Sequence, residues 1–299
     1  MSPAGPGPRI SVNPIPYWAR DGQVDKSKEV FDEAFADFQQ IGFTAVKADL
    51  PEGMSAEEYR SWIGSYGLAP AISTVMAPFT EDAAGLAPGG RESLERFAHD
   101  QRSLGLDTTM VIAPMTPTRM ATPAVGVDYT PEQLDRTTDN LATVCKILLG
   151  AGLYPTMHPH VGSLVETERE LRHVLDELEP AALGFGPDTG HMRWAGMDPA
   201  ALIRDYADRV RGIHIKDVFA DHLPAQADSS MGYHEIGATK RLWVEPGHGV
   251  VDFDAVMAAM PAGYAGDYMI EVDVPSVPTR LESHQISYDW AQRALAGGS

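Results

Sequence analysis

Residues 182–217, ALGFGPDTGHMRWAGMDPAALIRDYADRVRGIHIKD, contain one full period of the pattern that decides the fold. The apolar run at 182–185 predicts a strand, and a second apolar run at 210–215 predicts the next one. Between them, Asp198 followed by Pro199 predicts a helix start, because aspartate caps helices well and proline is tolerated in the first turn. The stretch therefore indicates a strand, a helix and a strand in succession.

The same alternation extends along the chain in both directions. Strands are predicted at residues 10–15, 44–48, 68–75, 107–113, 153–157, 182–185, 210–215 and 268–272, with helical patterns between them. Eight strand–helix units in 299 residues average about 37 residues each, as a single (β/α)8 barrel requires. We therefore expect an α/β fold with one catalytic barrel domain at residues 9–295, preceded by a disordered Pro/Gly-rich tail at residues 1–8.

A doubly wound open sheet is the competing architecture. Such a sheet usually has a glycine-rich phosphate turn after its first strand, and residues 13–18, NPIPYW, contain no glycine. Local signals also fit the barrel: Gly42 stops a first helix whose apolar stripe is formed by Phe31, Ala34, Phe35, Phe38 and Ile41. Ser55 with Glu58 forms a capping-box signature for the second helix.

Composition excludes several classes of function. The chain has 23 Lys and Arg against 42 Asp and Glu, a formal charge of −19, which would repel nucleic acid and an anionic membrane surface. Cys145 is the only cysteine, so neither an intramolecular disulfide nor a cysteine-rich zinc site can form. No apolar run approaches the ~20 residues of a membrane span. We expect a cytoplasmic protein with a small-molecule partner, and leave open whether it forms a homo-oligomer.

Polar residues follow the last four predicted strands. In this kind of barrel the reactive groups come from the C-terminal strand ends. The candidates are His158 and His160 after strand five, Asp188 and His191 after strand six, His214 and Lys216 in strand seven, and Glu271 and Asp273 in strand eight. Carboxylates and imidazoles that converge on one axis suit a divalent ion such as Mn²⁺, Co²⁺ or Zn²⁺.

The alternation of side chains along a strand places each of these strand-five, -seven and -eight pairs on one face. One member of a pair could bind the ion while the other holds substrate or moves a proton. A single buried histidine is more often a hydrogen-bonded core residue, and only the agreement of four strand ends favours a site. For Asp217 and Asp273, helix capping or a contact to a metal-ligating histidine is an alternative at least equal to direct ligation.

Several other residues have two interpretations each. Glu166 is either a solvated helix start or a substrate contact. Trp18, like Trp194 and Trp243, is either a platform for a sugar-like ring or plain packing. Glu245 and His248 lie in a turn-rich strip that we assign to the rim. The long irregular connection at 217–243 is typical of a functional loop.

These strand ends resemble those of the sugar phosphate isomerase/epimerase superfamily of xylose isomerase-like TIM barrels, and most of all those of inosose (2-keto-myo-inositol) dehydratases. The resemblance covers nearly the whole chain. It rests on residues 13–18, 158–167, 188–191, 195–199, 214–218, 247–253 and 271–273, of which HPHVGSLVET and DTGH are the most specific.

The resemblance implies a set of roles. Asp188, His214 and Glu271 would be metal ligands, with His160 as first choice and His158 as second choice for the strand-five ligand. His191 and Glu166 would contact substrate hydroxyls. The metal would be Mn²⁺, with Co²⁺, Zn²⁺ or Mg²⁺ as alternatives.

Two strips depart from the dehydratase pattern. Inosose dehydratases resemble one another in a Trp-x-Asn-Asp strip after strand one and an acidic residue in strand two. Here the matching places read Trp18-Ala-Arg-Asp21 and Val46-Lys47-Ala-Asp49. These departures indicate that the substrate differs.

Strand five carries histidines where sugar epimerases of the superfamily carry a glutamate, which favours dehydration over epimerisation. A metal-polarised ketone eases removal of the neighbouring proton, and a nearby acid then protonates the departing hydroxyl. Glu271 or one imidazole of the His158/His160 pair would act as base, and Lys216 or the other imidazole as acid. Replacing His160 or Glu271 with Ala should then abolish turnover and leave the fold intact.

Three functions remain open from the sequence. The first is a lyase acting on a keto-cyclitol or keto-sugar in inositol or other carbohydrate catabolism, including β-elimination of a 3-keto-glycoside. The second is an isomerase or epimerase of free keto-sugars. The third is a non-catalytic barrel that binds a ligand or partner.

Overall fold

The computed structural model describes residues 9–20, 23–226 and 230–296, so the tail predicted at 1–8 lies outside the described residues. Within these ranges eight parallel strands form the barrel. They are β1 (Arg9–Val12), β2 (Ala45–Lys47), β3 in two pieces (Ala69–Ala71 and Ser73–Met76), β4 (Thr108–Ile112), β5 (Tyr154–Met157), β6 (Gly184–Phe185), β7 (Ile213–Ile215) and β8 (Asp267–Ile270).

Strand pairing closes the barrel. One sheet has the order β7-β8-β1-β2 and ends on the first piece of β3, while the second piece of β3 begins a sheet that continues through β4 and β5 to β6. Parallel bridges from Phe185 to Val210 and from Asp188 to His214 join β6 to β7. The α/β barrel predicted from the sequence is confirmed.

Eight helices in the described part cover the outside of the barrel. They are α1 (Lys28–Ile41), α2 (Ala56–Gly64), α3 (Gly90–Ser103), α4 (Pro131–Gly150), α5 (Glu168–Glu177), α6 (Pro199–Asp205), α7 (Phe253–Ala259) and α8 (Arg280–Ala296). The buried face of α1 is the predicted stripe of Phe31, Ala34, Phe35, Phe38 and Ile41. Gly42 ends α1 at φ 109°, a left-handed conformation that glycine adopts without strain. None of the helices in the described ranges is long and apolar enough to cross a membrane.

Alternation along the strands separates two apolar layers. Val46, Val111 and Met157 pack into the main core with the helices. A small separate cluster fills the barrel interior and consists of Ala45, Ala71, Ile72, Met110 and Met269. A residue two positions further along a strand points the same way, so side chains that follow this cluster face the C-terminal mouth of the barrel.

Shorter elements decorate that mouth. They are the helices Ile15–Trp18, Pro117–Ala121, Thr189–Trp194 and Tyr233–Ala238, the 3-10 turn Ala220–His222, the pair Ala19–Arg20 with Gln23–Val24, and the pair Asp217–Val218 with Trp243–Val244. A further 3-10 turn, Ala207–Arg209, lies in the connection from α6 to β7.

Two local predictions were wrong. The strand predicted at 10–15 ends at Val12, and a helical turn starts at Ile15, because Pro14 and Pro16 have no N–H for a strand ladder while Pro16 fits a first helical turn. The strand predicted at 68–75 is interrupted at Ile72, whose backbone N–H donates to Asp267 instead.

Candidate metal centre

Three side chains converge at the mouth of the barrel. His158 follows β5, Asp188 follows β6 and His214 lies in β7, and one ligand atom from each lies within 4.8 Å of the other two. Asp188 Oδ2 is 3.7 Å from His158 Nε2 and 3.6 Å from His214 Nδ1. All three residues are buried. We call this group the donor cluster.

Two members of the donor cluster, His158 and Asp188, are oriented by contacts on their far sides. His158 Nδ1 lies 2.9 Å from the carbonyl oxygen of Gly186, so its Nε2 is turned toward the cluster. Asp188 Oδ1 accepts a hydrogen bond from the backbone N–H of His191 at 2.8 Å, as the N-cap of the helix Thr189–Trp194. Asp188 Oδ2 is therefore the oxygen left for the cluster, and such outer contacts are typical of metal ligands.

The donor set fits a divalent cation. Asp188 Oδ2 and both ring nitrogens of His214 are buried and make no hydrogen bond in the part of the chain that the structure describes. Buried polar atoms in proteins are nearly always bonded, so Asp188 Oδ2 and His214 Nδ1, which face each other at 3.6 Å, require an explanation. Two imidazoles and a carboxylate form a ligand set that Zn²⁺, Mn²⁺ and similar ions accept.

Glu271 lies beside the donor cluster, directly after β8. Its Oε2 is 3.1 Å from His214 Nδ1 and accepts a hydrogen bond from Asn13 Nδ2, while its Oε1 accepts one from Lys216 Nζ. The carboxylate therefore touches the cluster with one oxygen and a buried ammonium with the other.

The electrostatics favour the ligating state of His158 and of the two carboxylates, whereas His214 keeps its proton near neutral pH. Burial lowers the pKa of His158 to about 3, with the neighbouring His214 adding to this effect, so His158 is neutral. Burial opposes ionisation of Asp188 and Glu271, but Lys216 is the main cause that holds the pKa of both carboxyls below their usual values. Burial also opposes the charge on His214, yet the Glu271 and Asp188 carboxylates raise its pKa to about 9. A bound cation would replace the proton that these two carboxylates hold on His214.

Lys216 is the centre of a second group with Glu271 and Asp273, which we call the proton-transfer group. Its Nζ lies 2.9 Å from Asp273 Oδ1 and 3.3 Å from His191 Nε2, and 4.3 Å from the centroid of the Trp243 ring. Burial raises the pKa of Asp273 to about 7, against the lowering effect of Lys216. The group therefore contains a carboxyl that can gain or lose a proton near neutral pH.

The two strand-five histidines are placed differently. His158 belongs to the donor cluster, whereas His160 stacks on His191 with ring centroids 3.7 Å apart, and its Nδ1 lies 2.8 Å from the carbonyl oxygen of Val161. The geometry thus places His158, the second choice from the sequence, and not His160 beside Asp188 and His214. His160 lies past the end of β5, one layer above the donors.

Glu166 lies away from these groups. Its buried carboxylate accepts hydrogen bonds from the backbone N–H groups of Gly162 at 2.7 Å, Gly126 at 2.8 Å and Ala124 at 3.1 Å, and lies 3.6 Å from Arg119. These contacts use both oxygens to join two loops. The burial contradicts a solvated helix start, and the substrate contact stays a prediction.

Other polar candidates also hold loops. The Asp217 carboxylate accepts hydrogen bonds from the backbone N–H groups of Val218, Gly247, Gly249 and Val251, which fixes the turn-rich strip before α7. Glu245, in that strip, accepts from the backbone N–H and hydroxyl of Ser276. Asp217 is therefore a loop anchor and not a member of the donor cluster.

Aromatic side chains form one wall of the mouth. Trp194 and Trp243 are buried, with ring centroids 5.5 Å apart in an edge arrangement, and Tyr233 lies 6.4 Å from the His191 ring at an interplanar angle of 13°. Trp18 is half-buried on the first loop, with Lys26 Nζ 4.6 Å from its ring centroid.

Two residues near the site, Asn13 and Tyr233, were not identified as candidates from the sequence. Asn13 directly follows β1, so the rule that strand ends carry functional groups could have identified it. Tyr233 lies in a stretch that gave no pattern beyond a long connection, and only folding brings it over the histidines.

The family comparison defines the class. A family model described as the xylose isomerase-like TIM barrel matches residues 35–294, so the chain belongs to that family. Among curated proteins it is similar to inosose dehydratase 2 of Bacillus cereus strain ZK / E33L, with 27% identity over 147 residues, which is 48% of this chain and 49% of the relative. The match thus spans about half the length of these curated relatives.

Solved structures share the fold over nearly the whole chain. A probable 3-DHS dehydratase, AsbF, from Bacillus anthracis has a TM-score of 0.70 at 12% identity and covers 95% of this chain and 98% of its own. The IOLI protein, solved with a bound zinc atom, has a TM-score of 0.70 at 14% identity over 97% and 99%. An L-ribulose 3-epimerase has a TM-score of 0.69 at 16% identity over 97% and 95%.

Proposed function

We propose that the protein is a metal-dependent lyase that dehydrates a keto-cyclitol or keto-sugar by enolisation and β-elimination. The observation that carries this proposal is the contact between the donor cluster and the proton-transfer group, through Glu271. The similarity to inosose dehydratases supports the reaction type, and the zinc atom in the IOLI protein supports a metal in this fold.

His158, Asp188 and His214 would hold the ion, with Glu271 as a fourth ligand. Mn²⁺ is the proposed metal, and Co²⁺, Zn²⁺ and Mg²⁺ are the alternatives. When bound, such an ion polarises a ligand carbonyl and makes the adjacent C–H acidic.

Different residues of the chain then carry out the two proton transfers. Glu271, ionised and held by Asn13 and Lys216, accepts the proton from the carbon next to the carbonyl, and a C=C bond forms as the β-hydroxyl leaves. The Lys216–Asp273 pair supplies the proton that turns the leaving hydroxyl into water. His160 stays neutral because burial lowers its pKa to about 4, so it would bind a substrate hydroxyl beside His191.

The test is product identity. The protein loaded with Mn²⁺ is incubated with 2-keto-myo-inositol and with a 3-keto-glucoside, and products are followed by ultraviolet absorbance and NMR. Dehydration gives an enone or diketone chromophore and one water per turnover. Glu271→Gln should lower the rate by about 10²- to 10⁴-fold, the usual size of a general-base effect, and Glu282→Gln on the outside of α8 should not. An unchanged rate in Glu271→Gln would remove the assignment.

Epimerisation of a free keto-sugar is the second candidate, favoured by the fold shared with an L-ribulose 3-epimerase. An epimerase of the two-carboxylate type needs an acidic group on each side of the reacting carbon. Strand five offers His158 and His160 in place of one of them, which is why we place dehydration first. A new epimer without a chromophore in the same NMR experiment would reverse this order.

A further inference from the structure

The tip of β2 carries a cation that the proposed reaction does not use. Lys47 is the last residue of β2, two positions after Ala45 of the interior cluster, so its side chain faces the barrel mouth. The pairing of Val12 with Val46 places Lys47 beside Asn13, whose amide donates to Glu271. Lys47 therefore lies in the layer that contains the site.

This ammonium has no carboxylate partner in the described part of the chain. Across residues 9–20, 23–226 and 230–296, no carboxylate oxygen lies within 4 Å of Lys47 Nζ. Lys216, in contrast, is paired with Glu271 and Asp273, and Lys26 is paired with Asp49 at 2.5 Å. Asp49, the acidic residue nearest to Lys47 in the sequence, is thus already paired with Lys26.

The position is also partly desolvated. Lys47 is half-buried, and burial lowers the pKa of its ammonium although Asp49 and Glu271 oppose that effect. Withdrawing a charge from water without a partner costs free energy, and a bound anion would offset that cost. A neutral polyol has no charge with which to offset that cost.

An acceptor for a second ligand group lies next to this cation. Asn13 Oδ1 is buried and makes no hydrogen bond within the described ranges, while its Nδ2 is fixed by Glu271. The Lys47 ammonium and the unbonded Asn13 Oδ1, on adjacent strands, suit a ligand that carries an anionic group with a hydroxyl next to it.

We propose that Lys47 binds a carboxylate of the substrate, so that the site takes a ring ketone bearing a carboxylate, a keto-sugar acid or keto-cyclitol acid, in preference to a neutral polyol. A single ammonium suits the single charge of a carboxylate, whereas phosphate sites usually combine several N–H donors or an arginine fork. The ketone part rests on the proposed function, but the anionic part rests on Lys47 alone.

A matched pair of probes tests the charge. We would titrate 3-oxocyclohexane-1-carboxylate and 3-oxocyclohexane-1-carboxamide into the full-length protein by calorimetry, with Mn²⁺ and after treatment with EDTA. A charge-assisted hydrogen bond of this kind corresponds to about 10- to 100-fold in affinity, so the carboxylate should bind that much more tightly than the amide. Lys47→Met should bring the carboxylate down to the affinity of the amide.

Two further variants keep the result interpretable. Lys146→Met, which removes an exposed lysine on α4, should retain the full preference, and Lys47→Arg should retain most of it. Lys47→Gln serves if Lys47→Met does not fold. Equal affinities for the two probes in the unmodified protein, or an intact preference in the Lys47 variants that lack a charge, would overturn the proposal.

The binding experiment does not depend on turnover. If dehydration fails for every ketone but the preference for the carboxylate disappears in Lys47→Met, the reaction assigned above is wrong and the anion site stands. If neutral ketones are dehydrated and the probes bind equally, the reaction stands and the anion site is wrong.

Discussion

At the scale of single residues, the two oxygens of Asp188 have different functions. Oδ1 caps the helix Thr189–Trp194, and this hydrogen bond turns Oδ2 toward His158 and His214. A common capping residue thus becomes a metal-ligand candidate because its second oxygen is buried with no hydrogen-bond partner among the described residues.

The substitution Asp188→Asn separates these functions. Asparagine caps helices about as well as aspartate, so the fold should be retained, but the loss of the charge should weaken metal binding by more than about tenfold. Elemental analysis after dialysis against Mn²⁺ measures the metal content. Asp198→Asn is the matched control, because Asp198 caps α6 on the outside of the protein. Equal metal content in both variants would exclude Asp188 as a ligand.

Glu166→Gln tests a structural function at the same scale. The amide would keep one acceptor for the three backbone N–H groups of Gly162, Ala124 and Gly126, and it would turn a donor toward one of them. We expect the free energy of unfolding in urea to fall by about 2–4 kcal/mol, the usual cost for unpaired buried donors around a charge. Glu177→Gln, exposed at the end of α5, should change it little. An unchanged stability with a raised KM would restore Glu166 as a substrate contact.

At the scale of elements, the helix Thr189–Trp194 packs directly on the chain that follows β7. A Cβ added to Gly190 would lie 2.7 Å from Lys216 Cγ and 2.8 Å from Lys216 Cβ. The absence of a side chain at Gly190 is therefore what allows Lys216 to reach Glu271 and Asp273.

Gly190→Ala should push Lys216 out of the proton-transfer group. We expect a stability loss of about 1–3 kcal/mol, typical of overpacking, and a fall in kcat that exceeds the change in KM. Gly64→Ala in α2 is the control, since nothing lies within 4 Å of the added Cβ, and alanine there should be neutral or stabilising. Wild-type kcat in Gly190→Ala would show that Lys216 does not have to occupy its present position.

At the scale of the whole molecule, the donor cluster connects strands from the two parts of the barrel sheet. His158 follows β5 and Asp188 follows β6 of one sheet, while His214 lies in β7 of the other, and that junction is held by isolated bridges and not by a continuous ladder. A cation bound there would therefore cross-link two strands that no continuous ladder joins.

Metal binding should stabilise the whole fold. A ligand at 100 times its Kd stabilises a native protein by about 2.7 kcal/mol, so added Mn²⁺ should raise Tm and EDTA should reverse the rise. In Asp188→Asn the rise in Tm should be smaller at the same Mn²⁺ concentration. The measurement is differential scanning calorimetry with each of the four candidate metals. If no metal changes Tm and none copurifies, a non-catalytic barrel becomes the favoured function.

Local patterns in the amino-acid sequence were enough to predict the order of strands and helices and the places where polar residues end strands. These signals are local: the two-residue alternation of a strand, the stripe on α1 and the caps at Ser55 and Thr167 depend on neighbours a few residues away. Asp188 and His214 are recognisable as candidate ligands from such local signals, because each lies at the end of an apolar run.

Which side chains come into contact depends on the folded chain and could not be predicted from local patterns. His158 and His160 share a face, but two residues along a strand span about 7 Å, and the register of β5 with its neighbours decides which of them reaches Asp188. Glu166 was assigned to the surface or the substrate because its partners, Gly126 and Ala124, lie 40 or more residues away in sequence. Likewise, Lys47 has no carboxylate partner within the described ranges because Lys26 captures Asp49, a contact across 23 residues. Such pairings form only when distant parts of the chain fold together, and no local pattern in the sequence predicts them.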